Sequence, residues 1–136
     1  MDKVRFGVIG LGYMGSKHAE RLFSEIEGAE LTAVCSRNPE RLRWAADTFG
    51  DGVRRFSDPG ELFASGTVDA AVIATPHFDH PVQAVNAFRH GLHVLVEKPA
   101  GVYALQAREM AEAAKASGKV YGIMYNQRTN PLYRKL

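Results

Sequence analysis

The sequence predicts an α/β fold built on a doubly wound parallel sheet, in strand order 3-2-1-4-5-6. Three observations predict this class. Strand-like apolar runs alternate with helix-like segments along the chain, as in a parallel sheet covered on both faces. The first apolar run ends in glycines at G-x-G-x-x-G spacing, Gly10 to Gly15. Several later runs end in short polar motifs, where such sheets bind ligands.

The first strand is predicted at Lys3–Ile9 and the helix after the glycine turn at Ser16–Ile26. In such a turn the first glycine allows the tight bend, the second lets a pyrophosphate approach the backbone, and the third lets the helix pack closely. The free amides of the helix start then face an anion. All six turn residues are predicted to contact a dinucleotide: Gly10, Leu11, Gly12, Tyr13, Met14 and Gly15. The alternative is a glycine-rich turn without a ligand. His18, on the helix's apolar stripe, is interpreted as a structural histidine.

The second strand is predicted at Glu30–Ser36 and its helix at Pro39–Phe49, because Asn38 is a good N-cap and Gly50 ends the pattern. The later elements follow from similar signals, with Asp58 as a cap and Glu61 in a capping box. The remaining strands are predicted at Val53–Phe56, Val68–Ala74, Leu92–Val96 and Val120–Tyr125. The remaining helices are predicted from Asp58 to near Gly66, from His80 to Gly91, at Val102–Ser117, and from near Asn130.

Six strands joined by crossover helices predict a Rossmann sheet, whose ligand lies at the switch point between strands one and four. The short motifs fall along this one edge: Gly10–Gly15, Ser36-Arg37, Thr75–His77, Glu97–Pro99 and Asn126–Arg128. This convergence is the strongest functional signal in the chain.

Bulk composition narrows the function classes. With 136 residues, 46% hydrophobic and 24% charged, the chain is typical of one soluble globular domain. A net charge of +2 with scattered basic residues gives no case for nucleic acid or a membrane partner. The chain begins with Met1 and enters a strand directly, which predicts no signal peptide and a cytoplasmic location. The single cysteine, Cys35, excludes an internal disulfide, is expected to be buried and inert, and argues against a cysteine metal site; we predict no metal.

The end of strand two favours NADP over NAD. Ser36 stands where an acidic residue would bind the ribose diol of NAD and repel a 2′-phosphate. Arg37 can pair with phosphate oxygens or lie against adenine. Arg41 is a second cation near a helix start, where the dipole disfavours it unless an anion is close. NAD also fits, because serine accepts a diol, and Arg41 could simply be solvated.

Lys98 follows strand five, where the nicotinamide half of a dinucleotide would reach. It could orient a substrate hydroxyl or polarise a carbonyl. Pro99 restricts Lys98 to an extended conformation, and the bond between them can be cis. A solvated surface lysine is the alternative.

These motifs together resemble the amino-terminal domain of the glucose–fructose oxidoreductase / inositol dehydrogenase / rhizopine-catabolism (Gfo/Idh/MocA) family. The resemblance covers the whole chain, and Glu97-Lys98-Pro99 is its most specific part. It implies NAD(P)-dependent hydride transfer on a sugar, cyclitol or related hydroxyl or carbonyl compound, with Lys98 as the catalytic residue at substrate and cofactor. Further cofactor contacts are implied for Thr75, Pro76, His77, Glu97, Asn126 and Arg128. For His80 the resemblance implies packing of the cofactor loop.

The resemblance also implies a second domain that supplies an Asp and a His. We expect residues 1–125 to form the Rossmann domain and 126–136 to begin a connection, so the chain would be a piece of a longer protein with little activity alone. An apolar surface around Tyr121–Leu136 would favour self-association, so the sequence is compatible with a homo-oligomer. Three alternatives remain: a non-enzymatic dinucleotide module, an NAD-dependent glycoside hydrolase of the same family, and a methyltransferase.

Overall fold

The computed structural model describes residues 2–135, in which six parallel strands form one sheet in the order β3-β2-β1-β4-β5-β6. This confirms the predicted order. The strands β1 to β6 are Val4–Ile9, Ala29–Cys35, Arg54–Phe56, Ala70–Ile73, His93–Val96 and Tyr121–Ile123. The helices α1 to α5 are Tyr13–Ser24, Pro39–Phe49, Pro59–Ala64, His80–Arg89 and Ala104–Ser117. Each helix connects two consecutive strands, as predicted.

The side-chain caps predicted at the starts of α2 and α3 are present in the structure. The Asn38 side chain accepts from the amide of Glu40 at 2.9 Å at the start of α2. The Asp58 side chain accepts from the amide of Glu61 at 3.0 Å at the start of α3. Each cap satisfies an amide that has no partner within the helix.

Most predicted boundaries differ from the observed ones by one or two residues, and two predictions were wrong by more. Helix α1 begins at Tyr13 rather than Ser16, so Gly15 lies inside the helix. The helix expected near Asn130 is replaced by two short 3-10 helices, Asn126–Thr129 and Tyr133–Lys135. Asn130 is extended, with φ −72° and ψ 122°, because the proline after it disfavours a helical conformation. Met1 and Leu136, the ends of the predicted domain ranges, lie outside the described residues.

Hydrophobic packing covers both faces of the sheet. One cluster joins the sheet to α3, α4 and α5 and includes Leu62, Phe88 and Met110. The other joins it to α1 and α2 and includes Leu22 and Phe49. This double cover explains the nearly continuous apolar sequence of the central strands. No helix within residues 2–135 has the length and apolar character to cross a bilayer.

Candidate functional site

A groove of about 900 Å³ opens at the carboxyl ends of β1, β2 and β4. This is the edge at which doubly wound sheets bind nucleotides. Nine of the residues predicted to bind a cofactor line it: Gly10, Leu11, Gly12, Tyr13, Ser36, Arg37, Arg41, Thr75 and Pro76. The structure therefore brings together three of the five predicted motifs in one concave site.

Two glycines of the turn are required by close packing. Gly10 has φ +88°, and a Cβ built on it would lie 2.7 Å from the Ala74 carbonyl oxygen. A Cβ on Gly15 would lie 1.7 Å from the Gly10 carbonyl oxygen. The first glycine thus fits the turn against β4, and the third lets the first turn of α1 lie directly on it.

Gly12 has a different surrounding. It is the N-cap of α1, and a Cβ built on it would meet no atom within 4 Å. No side chain caps α1 and its first turn holds no acidic residue, whereas α2 and α3 have both. The turn therefore leaves open space beneath free helix amides at their positive dipole end, which suits a pyrophosphate.

The residues predicted to contact adenosine lie at the end of β2. Arg37 is exposed, and none of the ion pairs among residues 2–135 involves it. Arg41 differs: its Nε donates to the Leu11 carbonyl at 2.7 Å, and its guanidinium also donates to the Ser16 hydroxyl and lies 4.5 Å from the Trp44 ring centre. Two of the five N–H donors of Arg41 are therefore already used by the glycine turn and the first turn of α1.

The loop after β4 forms the opposite wall. The Thr75 hydroxyl donates to Gln83 of α4 at 2.6 Å. Pro76 and Phe78 line the groove, but His77 does not; its exposed ring packs against Phe78, with 5.6 Å between ring centres. Thr75 is thus held against α4 by a hydrogen bond, whereas His77 lies outside the groove.

The other predicted site residues lie outside the groove: Met14, Gly15, His77, His80, Glu97, Lys98, Asn126 and Arg128. Lys98 is exposed beyond the end of β5, and the Lys98–Pro99 bond is cis. Asn126 and Arg128 are exposed in the 3-10 helix after β6, with the Arg128 guanidinium 5.5 Å from the Tyr125 ring centre. Contacts of these residues with a cofactor stay predictions.

Two histidines and a glutamate connect the outlying Lys98 turn to the groove. The Nε2 of His18 lies 2.6 Å from Oε1 of Glu97, and both side chains are buried. His80, only 1% exposed, lies between two backbone carbonyls. His18 thus makes a structural contact within the protein, and the packing of a cofactor loop that the resemblance implies for His80 stays a prediction.

Several groove residues were not predicted from the sequence. They lie on helix α1, at the N-cap and in the second turn of α2, at the first residue of α3, and in the loop into α4 and its first turn: Ser16, Lys17, Glu20, Asn38, Trp44, Pro59, Phe78, Asp79 and Gln83. Ser16, Lys17 and Glu20 share one helix face by their i, i+4 spacing. The predicted helix Ser16–Ile26 contains all three residues, but no motif in it indicated a ligand, so they were not predicted as site residues.

Cys35 also lines the groove, but its thiol is expected to be unreactive. Its side chain is 1% exposed, and burial raises the pKa of the thiol to about 12. The thiol, rather than the reactive thiolate, is therefore present at neutral pH. Among residues 2–135, no three His, Cys, Asp or Glu side chains form a group that could hold a metal ion.

Comparison with known proteins matches residues 4–125 to an oxidoreductase family with an NAD-binding Rossmann fold. The scyllo-inositol 2-dehydrogenase (NADP(+)) IolU of Bacillus subtilis is 40% identical over 117 residues, which are 86% of this chain and 35% of that protein. The scyllo-inositol dehydrogenase of Lactobacillus casei, solved with bound NAD(H) and scyllo-inositol, superposes with a TM-score of 0.92 at 27% identity, covering 98% of this chain and 39% of that one. The WlbA dehydrogenase of Bordetella pertussis, solved with NADH and UDP-GlcNAcA, gives a TM-score of 0.90 at 32% identity, covering 98% and 40%. The chain thus spans about two fifths of the length of such relatives.

Proposed function

The chain belongs to the Gfo/Idh/MocA oxidoreductase family, and we propose on this premise that it holds the nicotinamide dinucleotide of an oxidoreductase acting on a sugar, cyclitol or related hydroxyl or carbonyl compound. The observation that carries the proposal is the open space at Gly12 under the uncapped start of α1. Hydrogen-bonded caps fill the same positions on α2 and α3. Helix α4 also lacks a side-chain cap, so α1 is distinguished by the combination of free amides with the open space at Gly12.

Different residues along the carboxyl edge of the sheet have different roles. The glycine turn binds the pyrophosphate through backbone amides, and the wall from Thr75 to Pro76 encloses the cofactor. The bound nicotinamide supplies hydride transfer. Lys98 is the catalytic candidate: none of the hydrogen bonds or ion pairs within residues 2–135 uses its ammonium group. It is therefore free to hold a substrate oxygen and stabilise charge that develops there.

For the dinucleotide we propose NADP in preference to NAD. Ser36 lines the groove without the negative charge that would repel a 2′-phosphate. The guanidinium of Arg37, which forms no ion pair within residues 2–135, lies beside it. The name of the B. subtilis relative carries NADP(+), which supports this choice. The name of another relative from that organism, 30% identical, carries NAD(+), so the choice has to rest on these side chains.

Titration with NADPH and NADH, followed by nicotinamide fluorescence, tests the proposal. We expect NADPH to bind about tenfold more tightly, and Arg37→Ala to weaken NADPH by about tenfold or more while NADH is unaffected, because one charge-assisted hydrogen bond contributes about 1.5–3 kcal/mol. Arg43→Ala is the matched control, since Arg43 is an exposed arginine of α2 that does not line the groove. Tighter binding of NADH would overturn the NADP assignment, and absence of binding to either would overturn the proposed function.

A further inference from the structure

Glu97 is held from the side of the glycine turn. Its buried carboxylate faces Nε2 of His18 at 2.6 Å, although 79 residues separate the two in sequence. Its second oxygen, Oε2, accepts from the backbone amide of Lys98 at 3.1 Å. His18 belongs to α1, the helix that begins at Gly12. The carboxylate therefore connects the pyrophosphate helix to the backbone of the catalytic candidate.

The other side of the same turn is held by His80. Its Nδ1 lies 2.8 Å from the carbonyl oxygen of Pro99, and its Nε2 lies 2.8 Å from the carbonyl oxygen of Thr75. The ring is almost completely buried. Thr75 belongs to the wall of the groove. A carbonyl oxygen can only accept, so the ring donates to the carbonyl that faces its N–H, and to both when both nitrogens carry a proton. In either case His80 lies between the cofactor loop and the residue after Lys98.

Lys98 itself contributes nothing to its own placement. Its side chain is exposed, and the hydrogen bond it makes among residues 2–135 is through its backbone amide. Because the ammonium group makes no hydrogen bond or ion pair within residues 2–135, the space that this long, flexible side chain can reach is set by its backbone. That backbone is fixed on one side through Glu97 and on the other through Pro99.

We infer that His18 and His80 are positioning residues, which clamp the Glu97–Pro99 turn from two sides and so set the Lys98 ammonium against the nicotinamide end of the cofactor. The inference rests on the proposed function, since it gives Lys98 a cofactor to face. His18 belongs to α1, whose first residues line the dinucleotide groove, and His80 contacts Thr75 in the loop after β4, which also lines it. The clamp thereby makes the position of Lys98 depend on the same helix and loop that hold the cofactor.

A chemical probe can report where the Lys98 amine lies. Periodate oxidation of NADP+ converts the nicotinamide ribose, but not the 2′-phosphorylated ribose, to a dialdehyde. A neighbouring lysine amine condenses with the aldehyde with loss of water, and borohydride reduces the resulting imine to a stable secondary amine. The labelled residue is then identified by peptide mass spectrometry. The rate at saturating probe measures the placement of the amine, and the saturation constant separately measures binding.

The variants are His18→Leu, His18→Gln and His80→Leu, with His90→Gln as the matched control. His90 is an exposed histidine outside the groove, with its Nδ1 2.9 Å from the Asn86 carbonyl oxygen of its own helix and its ring 6.3 Å from the Phe63 ring centre. We expect saturating labelling of Lys98 to slow by about three- to tenfold in each leucine variant, the fold-change corresponding to loss of one hydrogen bond. The His18→Gln variant should restore the rate, because its amide replaces the Nε2 donor, and His90→Gln should match the unsubstituted chain.

Unchanged labelling of Lys98 in both leucine variants would overturn the clamp, as would binding of the probe with no label at Lys98. If a leucine variant fails to bind the probe, His80→Asn decides. Its amide keeps a donor toward Pro99 but cannot also reach Thr75, so labelling should slow by about threefold. An unchanged rate there overturns the inference.

Failure of the proposed function looks different. In that case the unsubstituted chain does not bind the oxidised dinucleotide at all. The clamp is then tested by hydrogen exchange at the Lys98 amide, compared with the Met124 amide, which donates to Val96 at 2.8 Å in the sheet. Selective acceleration at Lys98 in the leucine variants supports the clamp without any cofactor, and equal rates overturn it.

Discussion

Replacement of Gly12 by alanine separates folding from cofactor binding more sharply than any other change in the glycine turn. Gly12 has φ −71° and ψ −164°, a conformation open to any residue, and a methyl group added there would touch nothing within 4 Å. The methyl would instead project into the space where a pyrophosphate must approach the backbone amides. Gly12→Ala should therefore fold normally and bind NADPH poorly.

Two opposing effects fix the expected stability of Gly12→Ala. Alanine reduces the entropy of the unfolded chain, which stabilises by about 0.4–1 kcal/mol. Alanine is a poorer N-cap than glycine, which costs a comparable amount, about 0.5–1 kcal/mol. The free energy of unfolding should change by less than about 1 kcal/mol. Affinity for NADPH should fall by at least about tenfold, equivalent to about 1.4 kcal/mol.

The neighbouring glycines provide the contrast. A Cβ on Gly15 would lie 1.7 Å from the Gly10 carbonyl oxygen, so Gly15→Ala must displace backbone. Urea unfolding and NADPH fluorescence titration, run on both variants, should show Gly15→Ala losing stability and binding together, and Gly12→Ala losing binding alone. If Gly12→Ala bound NADPH as tightly as the unsubstituted chain, the cofactor would not approach this turn and the reasoning would be refuted.

Three further predictions concern titration and capping. Cys35, whose pKa is raised to about 12 by burial, should resist iodoacetamide at pH 8 in the folded protein and react once unfolded; equal rates would contradict the burial. The guanidinium of Arg5 lowers the pKa of Asp69, so this pair stabilises the fold above the unfolded pKa of Asp69 and the contribution is lost as pH falls through the folded value. Urea midpoints measured from pH 6 down to pH 2 should therefore fall less steeply in Asp69→Asn, and parallel curves would rule the pair out. Asp58→Ala should lower the free energy of unfolding by about 1 kcal/mol, because the amide of Glu61 loses its acceptor, and an unchanged urea midpoint would contradict this.

Local signals predicted the fold well because the elements begin and end on local chemistry. Asn38 and Asp58 cap helices through amides two and three residues away, a separation short enough to be recognised in the sequence. The start of α1 was the exception. Glycine disfavours a helix interior by about 1 kcal/mol, so Gly15 was placed before the helix. The packing of its backbone against Gly10 is a contact that only the folded turn reveals.

The site was predicted in its parts but not in its connections. The glycine turn, Ser36 and Thr75 were each recognisable from their place after a strand. The contacts of His18 with Glu97 and of Arg41 with Leu11 join residues 79 and 30 positions apart. Such pairs depend on the crossing of helices over the sheet, and no local pattern encodes them. His18 and Glu97 were therefore interpreted separately, one as structural and the other as a cofactor contact.

The contacts of Arg41 also set the scale of the expected cofactor preference. In the sequence, two cations near the start of α2 indicated a nearby anion. In the structure the Arg41 guanidinium already donates to Leu11 and Ser16, and the partial charges of the turn account for its position without a 2′-phosphate. The preference for NADP then rests on Arg37 and Ser36. An exposed ion pair contributes only about 0–1 kcal/mol, while one charge-assisted hydrogen bond contributes about 1.5–3 kcal/mol. A preference for NADPH of about tenfold is therefore the expected outcome, and a thousandfold preference would mean that Arg41 leaves the glycine turn to join Arg37.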